Sequence, residues 1–265
     1  MERVRGAGGV RHKAPVIAYG VHESGRREVI GIDVGEAETG AFWREFLRSL
    51  RARGLAGVQF TMSDAHEGSR GSIASVMGAP WQRCPVHFLR DMPGDCSKGQ
   101  QPMIETTIRQ IFAAEGASEA AERLADVASA LERSAAKVAR LLLEAEEELL
   151  AFVAFPPEHW SKLRSTNPLE RVNHEIGRRS DVVGIYPNDS ALIRLAGTLL
   201  VEQNDEWLVE RRYLSVESLQ AITQRPRTKR VQGGGHTTGG LTPSSRRRTD
   251  TTKRDLIRAG RAAVK

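Results

Sequence analysis

A long helical block in the middle of the chain constrains its fold more than any other feature. Across residues 101–155 the apolar residues recur three and four positions apart, which is the spacing of an amphipathic α-helix. Such stretches follow one another over residues 104–112, 117–131 and 135–152. Because strand-like sequence precedes this block, we predict an all-α segment inserted into an α/β protein.

The sequence before the block begins with a predicted β-hairpin. Residues 14–21 and 27–34 are apolar-rich runs, and the short polar segment between them contains Gly25, a residue suited to a turn. A helix is predicted over residues 38–53, where aromatic and leucine side chains share one face. We therefore predict that the chain begins with a β-hairpin followed by an amphipathic helix.

A strand, a helix and a second strand come next, over residues 58–63, 67–77 and 81–87. This order predicts a right-handed crossover and a partly parallel sheet. After the helical block, the periodicity predicts two further helices over residues 168–179 and 188–209.

Asp64 directly follows the predicted strand over residues 58–63. Functional residues in open α/β sheets lie at the carboxyl ends of parallel strands, so Asp64 is a candidate site residue. A plainer interpretation is that Ser63 or Asp64 caps the helix that follows.

Glu170 has a similar ambiguity. The segment from Asn167 to Glu170 has the pattern of a capping box, with Asn167 at the N-cap and Glu170 at N3. One turn later His174 lies on the same helix face as Glu170, and Asn173 and Arg178 are close by. A helix that presents these four side chains together is less ordinary than a cap.

Cys84 and His87 stand three residues apart, a spacing that zinc ligands often have. A closed structural zinc site needs four ligands, and Cys96 and His66 could complete one only at irregular spacing. We therefore interpret the pair as a buried thiol and a strand-end histidine near a site, and not as a zinc centre.

Composition indicates a soluble intracellular protein with a sizeable core. The chain has 265 residues, of which 40% are hydrophobic, and its two cysteines offer no disulfide framework, as expected in a reducing cytoplasm. No apolar run approaches the roughly 18 residues that a membrane span needs.

The net charge of +6 comes from the C-terminal tail. Residues 222–265 contain 12 Lys and Arg and two acids, whereas the preceding residues carry a net charge of −4. Glycine- and threonine-rich sequence predicts that this tail is disordered, with a short basic helix over residues 254–264. It is either a sequence-independent phosphate-binding arm or an extension created by a shifted reading frame.

The motifs in their order are far more specific than each one alone. They are Ser-Asp-Ala-His-Glu-Gly from Ser63, Trp-Gln-Arg-Cys-Pro-Val-His-Phe from Trp81, Glu-His-Trp from Glu158, Ser-Thr-Asn-Pro-Leu-Glu-Arg from Ser165 and Asp-Val-Val-Gly-Ile-Tyr-Pro-Asn from Asp181. This series resembles the Mutator-type transposases of bacterial insertion sequences. The resemblance extends over residues 16–219.

The resemblance implies an α/β fold with an RNase H-like core interrupted by an all-α insertion. The core would comprise residues 1–95, which lack a first strand, and residues 156–221, which carry a catalytic glutamate. The insertion would comprise residues 96–155, and residues 222–265 would form the disordered basic tail.

The resemblance also implies DNA cleavage and strand transfer with Mg²⁺ or Mn²⁺, which Asp64 and Glu170 would hold as catalytic and metal-binding residues. The expected partners are insertion-sequence ends, target DNA and further copies of the chain, without a membrane, in a bacterial cytoplasm at the nucleoid. The site-supporting residues would be Cys84, His87, Trp160, Asn167, Asn173 and His174. The expected DNA-binding residues are Arg178, Arg179, Arg246, Arg247 and Arg248.

The family's first catalytic aspartate would fall before Met1 in this comparison, and Asp33 does not replace it. We therefore expect a truncated transposase that is inactive alone. The alternatives are a non-catalytic regulator that binds DNA or a transposase, and a fragment that does not fold.

Overall fold

A computed structural model describes residues 1–35, 39–92, 96–164, 166–224 and 262–264. The fold is mixed α/β with more helix than strand. The strands are β1 (Glu2–Gly6), β2 (Gly9–His22), β3 (Arg27–Gly35), β4 (Thr61–Ser63), β5 (Trp81–Arg83) and β6 (Ala262–Val264). The helices are α1 (Gly40–Ala52), α2 (Glu67–Val76), α3 (Pro85–Asp91), α4 (Gln101–Arg109), α5 (Ala117–Leu131), α6 (Ala136–Glu144), α7 (Glu146–Leu149), α8 (Pro157–Leu163), α9 (Asn167–Val183), α10 (Asp189–Val209) and α11 (Val216–Gln224).

The predicted hairpin is confirmed as the antiparallel pair β2 and β3. Its turn contains Gly25 at a φ of 78°, a conformation that a side chain would strain. Strand β2 begins earlier than predicted and also pairs with β1, which the sequence did not indicate. In β1, Val4 is the buried apolar residue and its neighbours are polar or exposed, so β1 gives little hydrophobic signal.

The predicted strand–helix–strand unit is confirmed, because β4 and β5 are parallel and α2 lies between them in the chain. The second strand is shorter than predicted and ends at Arg83. Cys84 is the N-cap of α3 and Pro85 occupies its first turn, where a proline is favourable. His87 therefore lies on a helix, and its prediction as a strand-end residue was wrong.

The helical block is confirmed, but its last predicted helix is divided. Instead of one helix over residues 135–152, the chain forms α6, α7 and a 3₁₀ turn. A buried side chain of β5 accounts for the break, because Gln82 donates to the carbonyl of Leu149 and accepts from the backbone N–H of Phe152. These two backbone groups are satisfied by the sheet and not by a continuing helix.

Helices cover both faces of the β2–β3 pair. On one face Val16 and Ala18 pack with buried residues of α1 and α2, among them Phe46 and Ile73. On the other face Ile17 packs against a cluster from α9 and α10. A larger core lies within the helical block and reaches β4 and α3. Its most buried members include Phe60, Ile104, Ile108, Leu124, Leu142, Leu149 and Phe152.

Strand β6 contradicts part of the expectation for the tail. Residues 262–264 were predicted to end a helix, but they form a strand that lies antiparallel to β2 and parallel to β4. Sheet pairing with distant strands overrides the local helical pattern here. Most of the predicted disordered tail, including the predicted helix over residues 254–261, lies outside the described residues.

No helix in the described part of the chain is long and apolar enough to cross a membrane.

Candidate active site at the carboxyl end of β4

A cavity of about 180 Å³ lies between β2 and β4. Its walls are apolar, with Val16 and Ile17 on one side and Met62 on the other. Its polar end is formed by Asp64, His87, Glu170 and Asn173. Two carboxylates, one before the helical block in the chain and one after it, therefore line one cavity.

Asp64 reaches this cavity because β4 ends immediately before it. The interpretation of Ser63 or Asp64 as a helix cap is wrong. His66 is the N-cap of α2, and that helix has no side-chain cap hydrogen bond. The Ser63 hydroxyl instead donates to the carbonyl of Asp64, at 2.7 Å, and accepts from Nε1 of Trp81, at 2.9 Å. These bonds hold the end of β4 against β5.

Glu170 lies in the first turn of α9, but the predicted capping box is wrong. Thr166 and not Asn167 is the N-cap, and no side-chain cap hydrogen bond forms. The carboxylate of Glu170 faces α3 instead, where its Oε1 lies 3.8 Å from Nε2 of His87 and 3.6 Å from Nη2 of Arg90. Oε1 is buried without a hydrogen-bond partner in the described part of the chain. A buried carboxylate oxygen in this state is suited to a further cationic partner.

The contact between α3 and α9 is fixed by a second pair. The buried thiol of Cys84 lies 3.1 Å from the hydroxyl of Thr166. Burial raises the pKa of the Cys84 thiol, but His87 and Thr166 lower it by more, to about 7. The neighbouring Cys84 in turn raises the pKa of His87 against the effect of burial, and Asp64 and Glu170 raise it further. His87 is therefore positively charged up to a higher pH than an ordinary histidine.

Three of the predicted supporting residues lie away from the cavity. Trp160 is buried in the core of the helical block, where its indole donates to the carbonyl of Phe155 and packs edge-on against Phe152. His174 is exposed and lines a surface groove beside α10, which Glu170 also lines. Asn167 is exposed in the first turn of α9.

The predicted DNA-binding arginines of α9 are engaged with an acid. Arg178 and Arg179 both donate to the exposed carboxylate of Glu175, at 2.7 to 2.9 Å. These bonds lower the pKa of Glu175 to about 2. Residues 246–248 lie outside the described part of the chain.

The sequence reasoning did not find Arg90 or Thr166. Arg90 follows His87 by three residues, so a prediction of α3 as a helix would have placed both on one face. Thr166 immediately precedes the Asn-Pro pair, and a search for N-caps one residue earlier would have included it.

The donor set fits a hard divalent cation in part. Asp64 and Glu170 supply carboxylate oxygens, which Mg²⁺ prefers. The residues that the structure describes contain no group of three or more His, Cys, Asp or Glu side chains arranged to hold a metal ion.

Comparison with known proteins identifies the family. A family model described as "Transposase, Mutator family" matches residues 1–210, which is most of the chain. The chain belongs to the Mutator family of transposases.

Its relatives are transposases of bacterial insertion sequences. The chain is 43% identical over 218 residues to the transposase for insertion sequence element IS1081 of Mycobacterium tuberculosis, a match that covers 82% of this chain and 52% of the relative. It is 36% identical to the transposase for ISRM5 of Rhizobium meliloti, over 82% of this chain and 55% of the relative. For the IS256 transposase of Staphylococcus aureus the identity is 33%, over 81% and 56%. The chain thus spans about half the length of the curated relatives it matches.

Proposed function

We propose that this chain carries two carboxylates of a metal-dependent DNA strand-transfer site on an RNase H-like core. The observation that supports this most is the convergence of Asp64 and Glu170 on one cavity at the carboxyl end of β4. An antiparallel pair of long strands, a parallel pair of short ones and helices on both faces agree with such a core. The helical block lies between the two carboxylates in the chain, as the family resemblance implies.

Asp64 and Glu170 would hold Mg²⁺ or Mn²⁺ through their carboxylate oxygens. The bound metal supplies activation of a water or a 3′-hydroxyl and stabilisation of the leaving oxygen. His87 and Arg90 direct the Glu170 carboxylate by facing its Oε1 from α3. The Cys84–Thr166 contact keeps α3 and α9 at a fixed distance, so that Glu170 stays at the cavity.

The proposed substrates are the ends of an insertion sequence and target DNA. Hydrolysis would nick the element end, and the freed 3′-hydroxyl would then attack the target. The proposed setting is a homo-oligomer on DNA in the bacterial cytoplasm, at the nucleoid.

We further propose that the chain alone does not cleave DNA. Two metal ions held side by side need several carboxylates. Of the described residues that line the cavity, Asp64 and Glu170 are the acids. The same observation favours a second candidate function, a non-catalytic regulator that binds DNA or a transposase.

Metal binding and cleavage separate these possibilities. Mn²⁺ binding to the purified full chain is measured by calorimetry for the unsubstituted protein, for Asp64→Asn and for Glu170→Gln. We expect each substitution to weaken binding about tenfold or more, because losing even an outer-shell partner of a metal ligand typically costs about 10- to 100-fold in affinity. Asp181→Asn is the matched control, because Asp181 is an exposed acid at the far end of α9. Equal binding in all four proteins would remove Asp64 and Glu170 from the metal site.

Cleavage is measured on duplex DNA that carries the element ends, with Mg²⁺ or Mn²⁺. We expect no product from the full chain. A product that disappears in Asp64→Ala would show that the chain is an active enzyme by itself.

If the chain is a DNA-binding regulator, its affinity for DNA should depend strongly on salt concentration. Replacing Arg246, Arg247 and Arg248 by serine should reduce the slope of log affinity against log salt by about three, because each lost phosphate contact reduces it by about one. An unchanged slope would exclude the tail as a phosphate-binding arm.

A further inference from the structure

Two parts of the sheet are connected through β6, a strand formed by residues near the C-terminal end of the chain. Within the described residues β2 and β4 do not pair with each other, and β6 lies between them. Strand β6 pairs with β2 through Gly20, Val21 and His22, and with β4 through Thr61. These few pairings connect the β2–β3 part of the sheet to the β4–β5 part.

The space that β6 enters continues past its end. Val264 stands opposite Gly20 on one side and Thr61 on the other. In the direction of β6, this register places the next positions alongside residues 17–19 of β2 and residues 62–64 at the end of β4. The cavity between β2 and β4 is lined by the overlapping residues 15–18 and 61–64. The gap between the two strands is therefore one strand wide and only partly filled.

We propose that the space between β2 and β4 is a strand-acceptor site and that residues 262–264 are its resident strand, bound in cis. Main-chain hydrogen bonds carry this kind of strand addition, so it needs no large side chains, and the inserted residues are two alanines and a valine. The segment lies beyond residues 1–210, so the match to the family does not include it.

The strand protects two edges that would otherwise be open. Unpaired N–H and C=O groups on β2 and β4 would offer a template for pairing with other chains. Because the strand is three residues long, few hydrogen bonds hold it, and a longer extended segment that also fills the cavity toward Asp64 would displace it. The C-terminal strand and a longer incoming strand would compete for one place in the sheet.

A disulfide test examines the pairing of His22 with Ala262. Directly opposed residues of antiparallel strands have Cα atoms about 4.5–5.5 Å apart, within the range that a disulfide spans. In the full chain, His22→Cys with Ala262→Cys is oxidised and digested, and the linked peptides are quantified by mass spectrometry. The control combines His22→Cys with Ala259→Cys, which lies three residues earlier in the same tail.

We expect the paired variant to cross-link about tenfold faster or more than the control, because docking raises the effective concentration of the two thiols. Equal rates would overturn the proposal. Cross-linked dimers in place of cross-linked monomers would show that the strand comes from a second copy, which would overturn binding in cis.

Hydrogen exchange provides a second, independent test. Ala263→Pro removes a backbone N–H from the middle of β6 and is poorly tolerated in a strand between two others. We expect amides in residues 19–22 and 61–63 to exchange about tenfold faster or more in the full-length variant. Ala259→Pro is the control and should leave their exchange unchanged. Unchanged protection in Ala263→Pro would also overturn the proposal.

Discussion

The helical block and the sheet are stabilised in different ways. In the block, buried side chains from successive helices contact one another, and most of the core forms from residues close in the chain. In the sheet, β2 near the beginning of the chain is joined to β4 through β6 at its end. Contacts between neighbours in sequence close short loops, whereas those of β6 close a very long one at a greater entropic cost. The block should therefore be the more independent part of the molecule.

The largest expected effect is on the core of the block. Leu142 of α6 is fully buried, and Leu142→Ala should lower the free energy of unfolding by about 3 kcal/mol through lost burial and a residual cavity. Urea denaturation followed by circular dichroism measures it.

The adjacent Leu143 is 52% exposed and provides a matched control. Leu143→Ala should change the free energy of unfolding by about 0.5 kcal/mol or less. A similar loss in both variants would mean that the block is not a packed core.

The next largest effect concerns the contact between the helical block and strand β5. Gln82 of β5 is fully buried and bonds to the backbone of Leu149 and Phe152. Gln82→Leu keeps the volume but leaves these backbone groups unpaired, so we expect a loss of about 2 kcal/mol in the free energy of unfolding.

The control variant is Gln59→Leu, because the Gln59 amide makes an exposed hydrogen bond to the carbonyl of Gly57. This substitution should leave the free energy of unfolding nearly unchanged. If Gln82→Leu has the same free energy of unfolding as the unsubstituted chain, the block folds without support from β5. The contrast between the two regions would then be sharper.

The smallest effect is a pH dependence at the attachment of α11. His159 of α8 is buried, with Nε2 2.5 Å from the hydroxyl of Ser218. Burial lowers the pKa of His159 below its usual value of 6.5. Below about pH 6.5 the unfolded chain therefore binds the proton more readily than the folded one. The stability that neutral His159 contributes is present above that pH and is lost as the pH falls through the folded-state pKa.

One such proton changes the stability by at most about 1.4 kcal/mol per pH unit. His159→Gln should make the loss of stability below about pH 6.5 shallower, measured by urea denaturation at a series of pH values on both sides of 6.5. An identical pH dependence in the variant would assign the effect to other groups.

The elements that could be predicted from sequence are those encoded by local periodicity. Helices α1, α5 and α10 were predicted close to their observed bounds because their apolar positions repeat within a few turns. The division of the predicted helix over residues 135–152 could not be predicted, because its cause is Gln82, a side chain far away in sequence. The helical position of His87 was missed because a short apolar run fits a strand and a helix equally well.

The candidate site shows the same division. Asp64 and Glu170 could be selected from their motifs, but each motif also fits a helix cap, and only the structure shows that neither residue serves as one. Trp160 belongs to a matching motif and yet lies in the core of the block. A motif records which residues occur together, whereas the direction of a side chain depends on how its helix packs.

The sequence by itself determined the family, the helical block and the order of the two carboxylates along the chain. Only the tertiary structure decided that these carboxylates line one cavity, that α3 rather than a strand carries His87, and that β6 stands between β2 and β4. The physical reason is the distance along the chain over which the stabilising interactions act. Helices arise from interactions within a few residues, whereas strand pairing and the closure of a site depend on groups that only the folded chain brings together.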